Sequence, residues 1–516
     1  MSPNRRIFLN IIATYGRSLY AAVCGLFSIR WVLKALGHDD FGLYGLIASL
    51  TIFISFFNNQ FSGALSRFYA YSIGAGKIKG NGFDGLLDCR NWFTTGILIH
   101  TCMPLLLGAV GYVIGSYAIT HAWLNIPNGR MDACLWLWRF VCISSLIGMI
   151  NVPFSAMYIA KQYIAELTIY SFVQSTLKVI FCFWMTCVDR EWLVPYGAMM
   201  CIISVVPQFI ICARAMVVFP ECHFTKVTIV NLGRIRQLAS YAWWQTFGGI
   251  GYLCRHQCLE VIANKFFGPT ANASYTVGAH VGSEAAALTG ALNGAFTPVI
   301  TSAYGAGDMH TFKKMAYRSC KFGMLLTLLF AIPLCLEIDK ILCLWLGEPP
   351  VYAKGFCLTW LTVTVIEKLY AGHVIAVNAT GRIAKFQFLH AIMCMVGLPI
   401  AVIFTLIGFN VYVICFALVI STVLSGGVDI VMARAIAGLS VRYLVAKILL
   451  PSCCLVFVSA FFGLIPRLMM ETSFLRIVFT TLFAEAVLLP AAWFLVLDAN
   501  ERQYVQERIK WKFQLR

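Results

Sequence analysis

The stretch 10–76 recurs at an offset of 231 positions, and a chain that holds one long apolar unit twice has few architectures open to it. Setting Gly37 on Gly268 without a gap also sets Tyr44 on Tyr275, Ala48 on Ala279, Gly63-Ala64 on Gly294-Ala295 and Gly74-Ala75-Gly76 on Gly305-Ala306-Gly307. The chain therefore reads as two related halves. Both copies are apolar runs of helical length, yet the first carries Arg17, Arg30 and Arg67. An arginine at the middle of a bilayer costs at least ~2.5 kcal/mol on the mildest scale, so it faces a bundle interior or a wet cavity, and a functional role is its default reading.

Composition sets the class. Of 516 residues, 60% are hydrophobic and 12% charged, with a mean hydropathy of +0.79. Soluble domains carry about 25% charged residues, so an ordinary soluble enzyme is excluded and a polytopic membrane protein is expected. No short cleavable apolar region precedes the first span, which is expected to stay as a signal anchor. The 20 cysteines fall mostly inside apolar runs, where cysteine behaves as a small hydrophobe. Neither disulfides nor a metal site are expected, and no spacing calls for a cofactor.

A spanning helix needs ~20 apolar residues, and about fourteen segments qualify: 8–36, 42–73, 92–119, 133–158, 164–187, 192–213, 238–264, 270–303, 320–345, 355–379, 386–408, 411–433, 443–465 and 474–497. The expected fold is an all-α polytopic membrane protein, with two pseudo-symmetric six-helix bundles and a C-terminal helix pair. The expected domains are an N-terminal lobe (1–220), a C-terminal lobe (221–438), appended helices (439–497) and a basic tail (498–516). Placing the N-terminus inside puts Lys and Arg mainly in the inner segments, among them 77–90, 214–237, 313–321 and 502–516. The positive-inside rule then makes both termini cytoplasmic. The net charge of +17 divides into this belt, suited to anionic headgroups, and a set of cations within the spans. Only the second set implies a cargo.

Arg17 lies ~14 Å along the first span at 1.5 Å per residue. Arg67 lies at a similar depth on the antiparallel neighbour, so the two are placed to clamp one anion, as guanidinium forks do with phosphate. Arg30, near the outer end, reads as a snorkelling side chain. Lys178, mid-span, is either a cavity cation or half of a buried pair. Arg255, His256 and Glu260 share the seventh span; His256 and Glu260 lie on one face, either as a proton-exchanging pair or as a satisfied structural one. Glu284 and Glu367 are also near mid-membrane, and each needs a partner or a proton there, with Arg255 and Lys368 at hand. Trp243, Trp244 and Gln245 suit either a sugar or the membrane interface. The acids of Gly37-His38-Asp39-Asp40 have no counterpart in Gly268-Pro269-Thr270-Ala271, so a tight polar turn is expected there. Gly74-Ala75-Gly76-Lys77 lacks the remainder of a phosphate loop and reads as a helix C-cap.

The wording of the first repeat is family-like. Tyr15-Gly16-Arg17, Arg30-Trp31-Val32-Leu33, Leu36-Gly37, Phe41-Gly42-Leu43-Tyr44-Gly45 and Ser66-Arg67-Phe68 resemble the polysaccharide-transporter branch of the MOP exporter superfamily, the Wzx-type O-antigen flippases. The resemblance covers the whole chain as an arrangement and specific wording in the first, second, seventh and eighth spans. It implies an alternating-access carrier that moves an undecaprenyl-pyrophosphate-linked oligosaccharide from the cytoplasmic to the periplasmic leaflet of the cell inner membrane. It also implies a cationic central cavity, which carries over onto Arg17 and Arg67, and onto Arg255 and Lys178. Release would be coupled through His256, Glu260, Glu284 or Glu367. The partners implied are the lipid-linked oligosaccharide, membrane lipids and polysaccharide polymerase or assembly proteins, and no nucleic acid. Two alternatives stand beside it. A MATE-type drug or metabolite antiporter shares the fold, but for cationic cargo it would hold a buried acid in the first lobe, where the first two spans have only Asp39-Asp40. A membrane enzyme acting on lipid-linked sugars would need larger extramembrane segments than these linkers provide.

Overall fold

The computed structural model describes residues 13–506 except 15, 18, 22, 26–27, 29–30, 33, 38–39, 41–42, 45–46, 48–51, 77–83, 122–125, 127, 224–230, 500 and 504–505; side chains at 52–58, 107, 118, 264, 269, 288 and 291 are also outside the description. Arg30, the acid Asp39 and most of the C-terminal tail therefore lie outside it. Among the described residues all regular structure is helical, and ten helices are long and apolar enough to cross a membrane. The chain is a multi-pass integral membrane protein. Ile52–Ala75, Leu232–Phe267 and Pro269–Gly305 are long enough as well but are not among the ten. They are helices of the repeat region, more polar in sequence than the ten.

Local rules explain some of the boundaries. Asp84 caps Gly85–Thr120 by accepting from the Leu86 and Leu87 amides at 2.9 and 3.2 Å, which meets two of the donors a helix start leaves unpaired. Ala353–Thr380 and Tyr412–Ala437 end on Gly381 and Gly438 with φ of 79° and 65°, the left-handed C-cap that glycine adopts without a Cβ penalty. Most span boundaries fall near the hydropathy reading, but Met309–Leu346 starts well before the expected 320, the expected 443–465 span is interrupted by a π-helical turn at Val445–Leu449, and among the described residues ten helices rather than fourteen are long and apolar enough to cross a membrane. The expected 386–408 span divides into Ala384–Met395 and Gly397–Leu406, broken where Gly397 lies against the Ala417 carbonyl.

The repeat survives in three dimensions. Gly37 and Gly268 are equivalent and both take positive φ, 76° and 82°. More telling is the contact between the two copies. A Cβ on Gly74 would lie 2.0 Å from the Ser302 carbonyl oxygen, and a Cβ on Gly305 would lie 2.2 Å from that of Tyr71. Gly74 is to Gly305 as Tyr71 is to Ser302, so the crossing is reciprocal, the signature of a local two-fold relation. A second echo is visible where Met131–Ala160 gives way to Ile164–Met185 and Ala353–Thr380 to Ala384–Met395; both connections are three residues long.

By packing, the chain forms two compact units, 1–246 with 301–309, and 247–300 with 310–516. In the first, Met131–Ala160 packs on Leu193–Val218, where Gly197 leaves room for the Leu137 side chain. The Ile164–Met185 helix turns Val173, Leu177 and Ile180 outward, an i, i+4, i+7 stripe suited to acyl chains. In the second, Ala353–Thr380 packs on Tyr412–Ala437 with Tyr370 over Gly426, around a core that includes Tyr275, Phe356 and Ile414. The appended helices Leu450–Met469 and Phe474–Leu495 bury Leu455, Ala484 and Leu488 against Met324, Leu328 and Ile332. Arg476 fixes them further through Glu337 at 2.7 Å, whose other oxygen accepts from Thr480 at 3.0 Å. At the other end Glu501 receives Arg318 and Lys321 at 2.8 and 2.9 Å, tying the root of the tail to Met309–Leu346.

Candidate functional site

In the first unit, the segment carrying Arg17 packs on the helix carrying Lys178. The Tyr20 hydroxyl meets Thr176 Oγ1 at 2.7 Å, and the Tyr20 and Phe172 rings are 4.8 Å apart. Arg17 and Lys178 are both half-buried, which fits side chains that keep access to a polar phase. Arg67 is also half-buried, and its guanidinium lies over the rings of Phe68, Tyr241 and Tyr71 at 4.7, 5.2 and 5.7 Å. Phe68 is backed by Trp92 at 4.0 Å, and Tyr241 receives the Gln245 amide at 3.2 Å. An arginine over aromatic faces gains from the ring quadrupole, the more so when desolvated. Trp243 is 62% exposed, as an interfacial tryptophan is. Asp40, the second acid of the expected polar turn, is buried and paired with Arg130 at 3.1 Å.

The second unit treats its arginine differently. Arg255 is 1% exposed; it donates to Glu367 Oε1 at 2.9 Å, Thr422 Oγ1 at 3.1 Å and His256 Nε2 at 3.2 Å. Glu367 has thus found one of the two partners proposed for the mid-membrane acids. Lys368, the other, is buried at 7% exposure, yet among the described residues no carboxylate lies within ion-pair distance of it. Adjacent helical residues face apart, and Lys368 points toward Gly323 on Met309–Leu346. His256 and Glu260 share a helix face but do not bond each other. His256 stacks on Trp360 at 4.7 Å and turns its Nε2 to Arg255, while Glu260 accepts from Thr276 at 2.9 Å. Glu284 is exposed rather than buried, on the same face as His280, Ser283, Ala287 and Gly290.

Sequence reading passed over one cluster. On Ala384–Met395 and Tyr412–Ala437, His390 Nδ1 donates to Asp429 Oδ1 at 2.9 Å, with Cys394 Sγ 3.4 Å from His390 Nε2. The signal was present, since Asp429 is the sole acid of its span and a mid-span acid is a functional flag. A small apolar crevice between Gly85–Thr120 and Met131–Ala160 is lined by Gly108, Gly111 and Trp138 and contains none of the candidate residues.

This helical arrangement has solved counterparts. The chain superposes on an outward-facing multidrug resistance MATE family transporter of the MOP superfamily with a TM-score of 0.66 at 13% identity, over 85% of this chain and 96% of that one. It has the MATE fold. A MATE structure in the straight conformation matches with a TM-score of 0.67 at 13% identity, over 85% and 97% of the two chains. A MOP superfamily transporter from Pyrococcus furiosus, described as having a binding pocket of reverse polarity that suggests a different function, matches with 0.67 at 13% identity, over 86% and 97%. In sequence, the chain is 21% identical over 376 residues to the uncharacterized membrane protein EpsK of Bacillus subtilis (strain 168), covering 71% of this chain and 68% of that protein. No protein-family model matches. The MATE fold accounts for the paired repeats and for the polar helices among apolar ones; fold alone does not choose a cargo.

Proposed function

We propose that the chain is an inner-membrane flippase, with both termini cytoplasmic, that moves a lipid-linked oligosaccharide carrying a pyrophosphate to the outer leaflet for surface polysaccharide assembly. One observation carries this reading. Arg67 sits inside the helix Ile52–Ala75, half-buried among aromatic faces, where a guanidinium offers a fork for phosphate and the rings offer flat apolar surface for sugar. Arg17 and Lys178 add cationic character to the same unit. Arg255, bonded to Glu367, reaches cargo only if that pair opens. Transport would proceed by alternating access, as in other repeat-built carriers. The reversed pocket polarity described for the Pyrococcus furiosus transporter supports the idea that this fold accepts cargo of more than one charge.

A second reading, drug or metabolite antiport, is favoured by the multidrug transporter that shares the fold and by the exposed acid Glu284. The two separate in cells deleted for the native gene. Wild-type chain restores surface glycan, and Arg67→Ala and Arg17→Ala lose it at equal expression. Full glycan from both alanine variants, together with resistance to cationic drugs that depends on Glu284, would replace the flippase with the antiporter.

A further inference from the structure

The charges packed around Asp429 do not balance while the imidazole beside it is neutral. Asp429 is fully buried. Its Oδ1 takes the hydrogen of His390 Nδ1, and its Oδ2 is buried with no hydrogen-bond partner. The other ionisable groups facing it come from two helices. Ala353–Thr380 supplies Glu367 and Tyr370, and Leu232–Phe267 supplies Arg255 with its neighbours Tyr252 and His256; Cys394 lies on the helix of His390, and Gly397–Leu406 contributes no ionisable side chain. Arg255 is already committed to Glu367 at 2.9 Å. Lys368 faces Gly323 on the far side of its helix. With a neutral imidazole the cluster holds one guanidinium and two carboxylates, and the carboxylate left without a cation is Asp429, whose side chain is 0% exposed. Burying an unpaired charge is among the costliest acts a fold can perform.

We propose that the His390–Asp429 pair is a proton-binding site, holding one proton on the imidazole while buried and exchanging it as the carrier moves its cargo. The second half of this statement rests on the transport reading above; the first half does not. Proton gain converts the neutral His390 ring to imidazolium, with Nδ1–H donating to Asp429 Oδ1 and Nε2–H turned to Cys394 Sγ. Loss returns the proton to water and leaves the carboxylate with one neutral donor. The His390 side chain is 18% exposed while that of Asp429 is 0%, so the ring is the point of entry. Thr422, on the helix of Asp429, also receives Arg255, so a shift of that helix on deprotonation is transmitted to the Arg255–Glu367 pair.

The full-length protein, labelled with ¹⁵N in its nine histidines and held in lipid bilayers without cargo, tests the site by magnetic resonance. The resonance lost in His390→Gln should be that of a doubly protonated ring at neutral pH. It should turn neutral on alkalinisation, and be neutral already in Asp429→Asn. A His390 ring that stays neutral at every pH, or is unmoved by Asp429→Asn, overturns the site. A second arm uses proteoliposomes and a lipid-linked pyrophosphate glycan. Wild-type flipping should respond to an imposed pH gradient, and His390→Gln should lose that response. If the wild type flips and His390→Gln responds fully, coupling through this pair is wrong. If the wild type does not flip the glycan, the transport reading fails while the resonance still decides the proton site.

Discussion

Arg67 and Arg255 pose the same problem, a guanidinium inside a long helix of the repeat region, and the two units solve it in opposite ways. Arg67 lies over three aromatic rings and stays half-buried. Arg255 is sealed at 1% exposure by a carboxylate, a hydroxyl and an imidazole. A ring face meets a cation with its quadrupole and brings no charge of its own. A carboxylate cancels the field and adds a partner that must itself be satisfied. The first arrangement suits a ligand-binding cation; the second suits a load held within the fold.

The largest effect should come from breaking the sealed pair. Glu367→Ala leaves Arg255 buried with its ion pair lost, and removing one partner of a buried pair costs about 3–5 kcal/mol. Unfolding in detergent should show that loss, and the double variant Arg255→Leu with Glu367→Leu should recover most of it. An unchanged midpoint for Glu367→Ala would mean that the pair is hydrated and the contrast between the units is overstated.

An intermediate effect is expected at the reciprocal crossing, which supports the helix carrying Arg67. Gly74→Ala drives a methyl into the Ser302 carbonyl, and because backbone cannot swing aside as a side chain does, overpacking of about 1–3 kcal/mol is expected. Gly63→Ala, on the same helix with nothing within 4 Å of its Cβ position, is the matched control and should leave stability unchanged. Equal behaviour of the two variants would remove the crossing from the account.

The smallest change in stability should follow Arg67→Leu, roughly 0.5–2 kcal/mol for the cation–π contacts of a partly desolvated guanidinium. Its effect on transport should be far larger. A stability loss as great as that of Glu367→Ala would make Arg67 a structural residue and dissolve the comparison.

Much of the fold was legible before any coordinates. Helix length, hydropathy and the glycines at Gly37 and Gly268 are local properties, and the offset between repeats is visible in the residues themselves. Partnership was less accessible. The Glu367–Arg255 pair was among those anticipated, but Lys368 as an acid's partner and His256 beside Glu260 were reasonable on helical spacing and were not realised. Spacing says which residues share a face of one helix; it does not say which neighbouring helix that face meets. Glu284 was expected to need a partner and instead is exposed.

The sequence alone determined that this chain crosses a membrane many times, is built from two related halves and places cations where lipid forbids them, because transfer energies and helical periodicity act residue by residue. The tertiary structure decided which of those charges are neutralised. Arg255 with Glu367, Arg476 with Glu337, and His390 with Asp429 join residues 112, 139 and 39 positions apart. In a low-dielectric interior the fate of a charge depends on what stands within a few ångströms, and only the packing of whole helices sets that.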